Sequence, residues 1–333
     1  MVNIIFIRKE YIVNELRVCL VPEDIPKLTG FTVYIESCKK RIYTDEQYQS
    51  QGAIVTTLPW YHSDFKNALI LGLKELDHLE HLNEHNHVYF SHSYKNQEGS
   101  KIILDAFHKS KSIIYDFEYF KKQSKRVISF GYYAGIVGGV LGVAQYHSNL
   151  PKLNPETFKE LLNKKWNTEL KIAIIGAYGK VGLGVCKILG EMGINNYDIF
   201  ERSTPKNKLS NYDIVFNCIL LDYNNTEVWF SRHNNFKKKL VICDISCDNT
   251  KPNNPIKLYN HNTTWEDPVF HYNEFVDIIS ISNLPSLMPK ESSDYFSKQC
   301  VELLLDRDSM VWENCKKIFN LFQPNLLIKM NSI

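Results

Sequence analysis

The sequence has no excess charge of one sign, no CxxC cysteine pair and no apolar leader behind a basic start, and each absence removes a class of protein. Lys and Arg number 39 against 37 Asp and Glu, for a net charge of +2. A nucleic-acid binder needs a clustered positive field, and none is implied here. The eight cysteines are Cys19, Cys38, Cys186, Cys218, Cys243, Cys247, Cys300 and Cys315. They are too sparse for a disulfide scaffold, and none has zinc-finger spacing. They read as reduced thiols, and the chain as cytoplasmic. The start, MVNIIFIRKEY, lacks a signal-peptide h-region, and the end, MNSI, is not an SKL-type address. Solenoid repeats and low-complexity tracts are also missing. Apolar residues at 44% and charged residues at 23% describe a soluble globular chain, and 333 residues suggest about two domains.

One stretch could raise a membrane question. Residues 127–146, VISFGYYAGIVGGVLGVAQY, carry no charge over a spanning length. Gly131, Gly135 and Gly139 make two overlapping GxxxG steps. The segment is single, Gly-rich and poor in Leu and Phe, so a buried helix with a close neighbour is expected and no membrane span.

Short apolar runs alternate with helical patterns on both sides of that stretch. Strands are expected at 2–7, 31–35, 53–57, 68–71, 88–90 and 112–115, and helices at 22–28, 44–51 and 100–110. Residues 147–167 read as a polar stretch and 249–262 as a polar, Pro-containing loop. Strand–helix alternation argues for α/β architecture with parallel, doubly wound sheets.

The strongest local signal follows the apolar run LKIAII at 170–175. There the chain reads Gly176-Ala177-Tyr178-Gly179-Lys180-Val181-Gly182, then a helical pattern to Gly193, then a strand at 197–200 and Glu201. This order matches a βαβ dinucleotide unit. Glycine lets backbone N–H groups approach a pyrophosphate at the helix N-terminus. Glu201, 25 residues after Gly176, stands where a carboxylate accepts bonds from a ribose diol. The spacing is GxxGxxG, a variant of the usual fingerprint. The acid favours NAD over NADP, and the adjacent Arg202 tempers that preference.

Three charged clusters occupy the first third: Arg8-Lys9-Glu10 with Glu15-Leu16-Arg17, then Gly72-Leu73-Lys74-Glu75, then Ser91-His92-Ser93-Tyr94-Lys95. Lys74 and His92 each follow an apolar run. Ligands of parallel α/β sheets sit beyond the carboxyl ends of strands, so one crevice is expected for both. Oxidising a secondary amine requires removal of its proton before hydride leaves. A lysine can do this if desolvation or nearby cations, here Arg17 and Lys95, make it neutral. Histidine can move protons during imine hydrolysis. His78, His81, His85, His87 and His92, with Glu80 and Glu84, read as an exposed helix or loop. No HExxH is present, and no metal is expected.

At these residues the chain resembles the lysine-forming, NAD-dependent saccharopine dehydrogenases. The resemblance runs through the RxE…ExR…LxP opening, LILGLKEL, HVYFSHSYKNQ, IIYDFEYF, RVISFGYYAG, CDISCDNTKPNNPI and NLPSLMPKESS. It implies two Rossmann-like domains with a cleft between them, 1–130 (completed by 290–333) on the substrate side and 131–289 binding NAD. It implies Lys74 as base for the amine and His92 as acid–base group for the imine. Arg17, Lys74, Gln97, Arg126, Phe130, Ser246, Cys247 and Asp248 would contact substrate. Lys125, Gly176, Gly179, Lys180, Glu201, Leu220, Ile245, Ile281, Ser282, Asn283 and Leu284 would line the cofactor side. Lys125, Leu220 and Ser282 depart from the pattern, where arginine, tyrosine and an acid are more usual. Val181 stands where some relatives carry a cysteine, so a disulfide to Cys218 is not expected. The expected activity is oxidation of saccharopine by NAD to L-lysine and 2-oxoglutarate, in a monomer whose partners are small molecules. The rivals are an alanine-dehydrogenase-like enzyme and a catalytically silent NAD-binding sensor.

Overall fold

In the computed structural model, residues 3–95, 99–219, 227–247 and 253–322 are described, with the Lys95 side chain left out. The chain divides into two compact units, Met1–Ser129 with Pro289–Ile333, and Phe130–Met288.

The first unit is built on six strands: β1 (Ile4–Ile7), β2 (Thr32–Glu36), β3 (Ile54–Thr56), β4 (Leu69–Leu71), β5 (Asn86–Tyr89) and β6 (Ile113–Asp116). Their order is β3-β2-β1-β4-β5-β6, and every pairing is parallel. The order reverses between β1 and β4, which opens a crevice at their carboxyl ends. Helix α1 (Asp45–Ser50) starts on a capping box between Thr44 and Gln47. Helix α2 (Ser100–Lys109) lays Leu104 and Phe107 on a core with Phe6, Trp60, Phe65, Ile70 and Ile114. The expected helix at 22–28 is a short 3-10 helix, Pro22–Lys27, because Pro26 interrupts the regular helical bonding. Strands β7 (Lys121–Lys122) and β8 (Lys125–Arg126) form a hairpin whose turn residues, Gln123 and Ser124, both have positive φ. That is the backbone a two-residue hairpin prefers.

The second unit opens with α3 (Gly131–His147) and α4 (Pro155–Asn163). The latter lies inside the 147–167 stretch, whose sequence reads only as polar. Its Asn154–Thr157 capping box and Pro155 start a helix whose buried face is Phe158 and Leu161. Strands β9 (Ile172–Ile175), β10 (Tyr197–Phe200), β11 (Ile214–Asn217), β12 (Leu240–Asp244), β13 (Phe270–His271) and β14 (Val276–Ile279) follow, with α5 (Lys180–Glu191) after β9. The sheet order is β10-β9-β11-β12-β14-β13, parallel except for the β13 edge. Ile172 and Ile174 join one core cluster and Ala173 and Ile175 another, so β9 is buried on both faces. That is why it reads as an unbroken apolar run.

The charge-free stretch owes its composition to packing within this unit. A Cβ on Gly135 would overlap the Val181 carbonyl, and one on Gly139 the Ile188 side chain, both on α5. A Cβ on Gly142 would come 2.6 Å from the Phe216 ring of the sheet. The glycines therefore let α3 touch α5 and the sheet at once. Among the described residues no helix is long and apolar enough to cross a membrane.

The closing helices α6 (Pro289–Leu305) and α7 (Met310–Leu321) belong to the first unit. Helix α7 sets Trp312 edge-on against Tyr115 of β6 at 5.0 Å.

Candidate active site

At the crest of the first sheet, the three central strands hand their chains to one another. Arg8 N donates to Leu71 O at 3.0 Å, Gly72 N to Val88 O at 3.0 Å and Phe90 N to Leu73 O at 3.1 Å. Lys74 and His92 therefore follow directly on the last bond between neighbouring strand ends. Gly72 makes room for Arg8, because a Cβ there would overlap the guanidinium.

Lys74 is half-buried and gripped through its backbone. Its N–H donates to Glu10 Oε2 at 3.0 Å, and Leu73 N donates to Glu10 Oε1 at 2.6 Å. Its carbonyl accepts from Arg8 Nη2. Arg8 Nη1 closes the ring by pairing with Glu10 Oε2 at 3.3 Å. Burial pushes the Glu10 carboxyl above its ordinary value, against Arg8 and the two backbone donors, which pull it down. Glu15 takes Arg17 Nε at 2.7 Å and Nη2 at 2.5 Å. Burial would raise Glu15, but Arg17 and then Lys74 outweigh it and hold the carboxyl below its usual range. Arg17, expected as a carboxylate clamp, is thus itself buried against an acid.

His92 has φ +52°, the left-handed region rare for a residue with a Cβ. The turn is held from below. Asp116, at the end of β6, accepts Ser91 Oγ at 2.7 Å and Ser91 N at 3.2 Å. The Phe90 ring lies near-parallel to the His92 imidazole at 6.3 Å. Arg126 faces Glu118 at 3.7 Å, and Lys125 beside it is exposed. His85 and His87 are not on an exposed helix or loop: both belong to β5 or its approach and are buried, at 3% and 1% exposure. Period two puts them on one face with Tyr89, and the Trp60 ring covers that face, 5.2 Å from His85 and 4.8 Å from His87 between centroids.

Two serines of α6, Ser293 at the end of NLPSLMPKESS and Ser297 one turn on, anchor the opening segment. Ser293 Oγ accepts from Val18 N and Ser297 Oγ from Val21 N, each at 3.0 Å, and Ser297 donates to Asp24 at 2.5 Å. Sequence reasoning overlooked Glu10, Asp116, Ser293 and Ser297 as parts of the site's frame. Only the clustering of RKE and the repeated Ser-Ser hinted at them.

In the second unit the glycines divide their work. Gly176 has φ +84°, and Gly182 lies so close to the turn that a Cβ would overlap the Gly176 carbonyl and Ala177 Cα. Gly179, which caps α5, is different: a Cβ there would meet nothing closer than Gly176 O at 3.5 Å. The fold does not require glycine at 179, whereas a pyrophosphate approaching the α5 N-terminus would. Gly176 N donates to Phe200 O at 3.2 Å, so Glu201 emerges beside the glycine turn, exposed. Lys180 begins α5.

Next to that turn, Asp244 collects the strand ends. It accepts Asn217 Nδ2 at 2.9 Å, Cys247 N at 3.3 Å and the Tyr259 hydroxyl. Cys247 has φ +53°, and Ser246 donates to the Ile219 carbonyl. Ile245 (8% exposed), Ile281 (2%) and Leu284 (2%) are core residues, so they back the crest, while Ser282 is exposed and Asn283 half-buried. Phe130 caps the start of α3 and is buried. Gln97, Leu220 and Asp248 lie outside the described residues.

A family model described as alanine dehydrogenase/PNT, N-terminal domain, matches residues 6–137. A Schizosaccharomyces pombe protein named saccharopine dehydrogenase [NAD(+), L-lysine-forming] is 32% identical over 357 residues, covering 95% of this chain and 97% of its own. One of the same name from Emericella nidulans is 32% identical over 365 residues, covering 96% of each. An L-alanine dehydrogenase structure shares the fold at TM-score 0.69 and 14% identity, covering 98% of this chain and 99% of its own. A transhydrogenase from Sinorhizobium meliloti does so at TM-score 0.64 and 18% identity, covering 90% and 93%. Near-complete coverage at this level of identity means that the chain belongs to the saccharopine dehydrogenase [NAD(+), L-lysine-forming] family.

Proposed function

We propose that the protein is an NAD-dependent oxidoreductase that converts saccharopine and water to L-lysine and 2-oxoglutarate. The observation that carries this reading is Lys74 and His92 on adjacent strand crests, in a chain akin over nearly its full length to enzymes of that name. We assign 1–130 with 290–333 as the substrate-side domain and 131–289 as the NAD-binding domain. NAD+ fits the glycine turn, since Gly179 is spared a Cβ without structural need and Glu201 stands beside it. When bound, NAD+ supplies the hydride acceptor.

Lys74 Nζ takes the proton of the secondary amine as the C–N single bond becomes C=N. Glu10 and Arg8 hold Lys74 in place through its backbone, so the side chain swings from a fixed base. His92 takes a proton from the water that adds to the imine carbon, then returns one to the departing lysine nitrogen. The balance is saccharopine, NAD+ and water giving lysine, 2-oxoglutarate, NADH and one proton. Arg17, Arg126, Phe130, Ser246 and Cys247 are assigned to the substrate side, with Gln97 and Asp248 added from the resemblance alone. Gly176, Gly179, Lys180, Glu201, Ile245, Ile281, Ser282, Asn283, Leu284 and Lys125 are assigned to the cofactor side, and Leu220 likewise from resemblance alone. We take the enzyme to act as a cytoplasmic monomer, and eight cysteines read as thiols suit a reducing compartment.

The test is NADH formation with saccharopine and NAD+, run beside the same assay with alanine. Turnover of saccharopine that disappears in a Lys74→Met, His92→Gln double variant supports the assignment, and unchanged turnover in that variant removes it. Turnover of alanine instead points to the alanine-dehydrogenase-like rival. Tight NADH binding with no turnover of either points to a sensor.

A further inference from the structure

The segment between β4 and β5 carries three side chains that the reaction above does not use. His78, Glu80 and His81 each offer one ligand atom, and the three atoms lie within 4.8 Å of one another. His78 Nδ1 is 3.1 Å from Glu80 Oε1, and His81 Nε2 is 3.7 Å from the same oxygen. Ligands about 2.0–2.1 Å from a tetrahedral metal stand roughly 3.4 Å apart, a spacing that the two distances bracket.

The neighbours of the trio orient it. Asp77 Oδ2 lies 3.3 Å from His78 Nε2. With an ion between His78 and Glu80, a carboxylate there would hold the proton on Nε2 and leave the Nδ1 lone pair for the metal, as in carboxylate–histidine–metal relays. The Tyr61 ring stacks on His81 at 4.0 Å and 23°, and meets His78 edge-on at 5.5 Å. His78 itself holds φ +56°, a backbone region that side chains rarely adopt. All three candidate ligands are exposed, so an ion has a direct path from solvent.

We propose that His78, Glu80 and His81 form a surface site for a divalent transition cation of the zinc class, with Asp77 orienting His78 from behind. Two imidazoles and one carboxylate select such an ion over calcium or magnesium, which prefer all-oxygen shells. The fourth position is left to water. This departs from the sequence expectation of no metal, which treated five histidines as one exposed group. Burial removes His85 and His87, His92 lies apart beyond β5, and His78 and His81 remain beside Glu80 as a compact trio. The site does not rest on the dehydrogenase reading.

The test is calorimetric titration of the chelator-treated full-length protein with zinc chloride. One equivalent is expected to bind, with affinity lowered at least about tenfold in His78→Ala and in His81→Ala, and by about tenfold in Asp77→Asn. Unfolding midpoints matching the wild type show that the variants fold. Cobalt titration separates this site from the thiols: weak visible bands without thiolate charge transfer are expected. Zinc binding that is absent, or that survives unchanged in both histidine variants, overturns the proposal. So does a cobalt spectrum dominated by thiolate charge transfer.

Discussion

Acidification through the range of a free imidazole is expected to destabilise the first unit, and His87 fixes the size of the effect. His87 lies on β5 at 1% exposure, among Trp60 at 4.8 Å, Phe107 at 5.4 Å, His85 at 5.9 Å and Tyr89 at 6.5 Å between ring centroids. Neither ring nitrogen has a hydrogen-bond partner among the described residues. Burial first, then the charges of His85 and Arg8, hold the imidazole well below its ordinary 6.5. The unfolded chain therefore binds a proton between that depressed value and 6.5, and the native chain does not. Stability from this group is fully present above pH 6.5 and is lost as pH falls. With the native ring neutral throughout, the loss between pH 7.5 and 5.5 is about 1.4 kcal/mol. Urea unfolding followed by tryptophan fluorescence, at pH steps across that range, measures it. Burial also depresses His85 and His108, so the informative quantity is the difference from His87→Phe, which keeps an aromatic ring in the cage. The wild type should lose about 1.4 kcal/mol more than the variant. Parallel stability curves for the two proteins would refute the assignment of a neutral, trapped imidazole.

Glu10→Ala strands a buried Arg8 charge and two backbone donors, and urea unfolding should show a loss of about 3–5 kcal/mol. Glu10→Gln keeps one acceptor oxygen, so it should lose less stability while kcat with saccharopine falls more than KM changes. Gly182→Ala drives a methyl into the Gly176 carbonyl, costing about 1–3 kcal/mol in thermal unfolding and abolishing NADH binding in a fluorescence titration. Gly179→Ala should separate ligand from fold: NADH affinity drops while stability changes by less than about 1 kcal/mol. Glu201→Ala removes a charged acceptor worth about 1.5–3 kcal/mol, so kcat/KM with NAD should fall at least about tenfold and the preference over NADP should shrink.

The sheets were legible because parallel strands buried on both faces must be apolar along their length, as at LKIAII and LIL. The glycine stripe of α3 was legible for a related reason: only a backbone packed on both sides dispenses with side chains over so many positions. The division of labour among glycines was not legible. Gly176, Gly179 and Gly182 look alike in a motif, yet φ +84° explains the first, a close approach to the turn explains the third, and neither explains the second. The histidines also misled, since the polar HNH ahead of the apolar VYF reads as exposed chain leading into a strand. Only the aromatic wall of Trp60 and Phe107, distant in sequence, determines that the face carrying His87 is covered.

What stayed furthest from view is a device used three times. Glu10 joins the crests of β1 and β4, Asp116 those of β5 and β6, and Asp244 those of β11 and β12. Each carboxylate accepts from at least one backbone N–H just beyond a ladder, where the strand has no further partner. An ionised carboxylate offers about four acceptor positions, more than any other side chain. One buried acid can therefore satisfy the donors of a crest and lock its loops together. Those loops carry Lys74, His92 and Cys247, so the same physical need that ends a parallel sheet also fixes the groups assigned to the chemistry. The partners that these acids reach on the neighbouring crest lie 25 to 64 residues away along the chain, beyond any local pattern. A carboxylate in RKE or IIYDFEYF reads as surface charge until the strand order is known, and strand order is a property of the whole sheet.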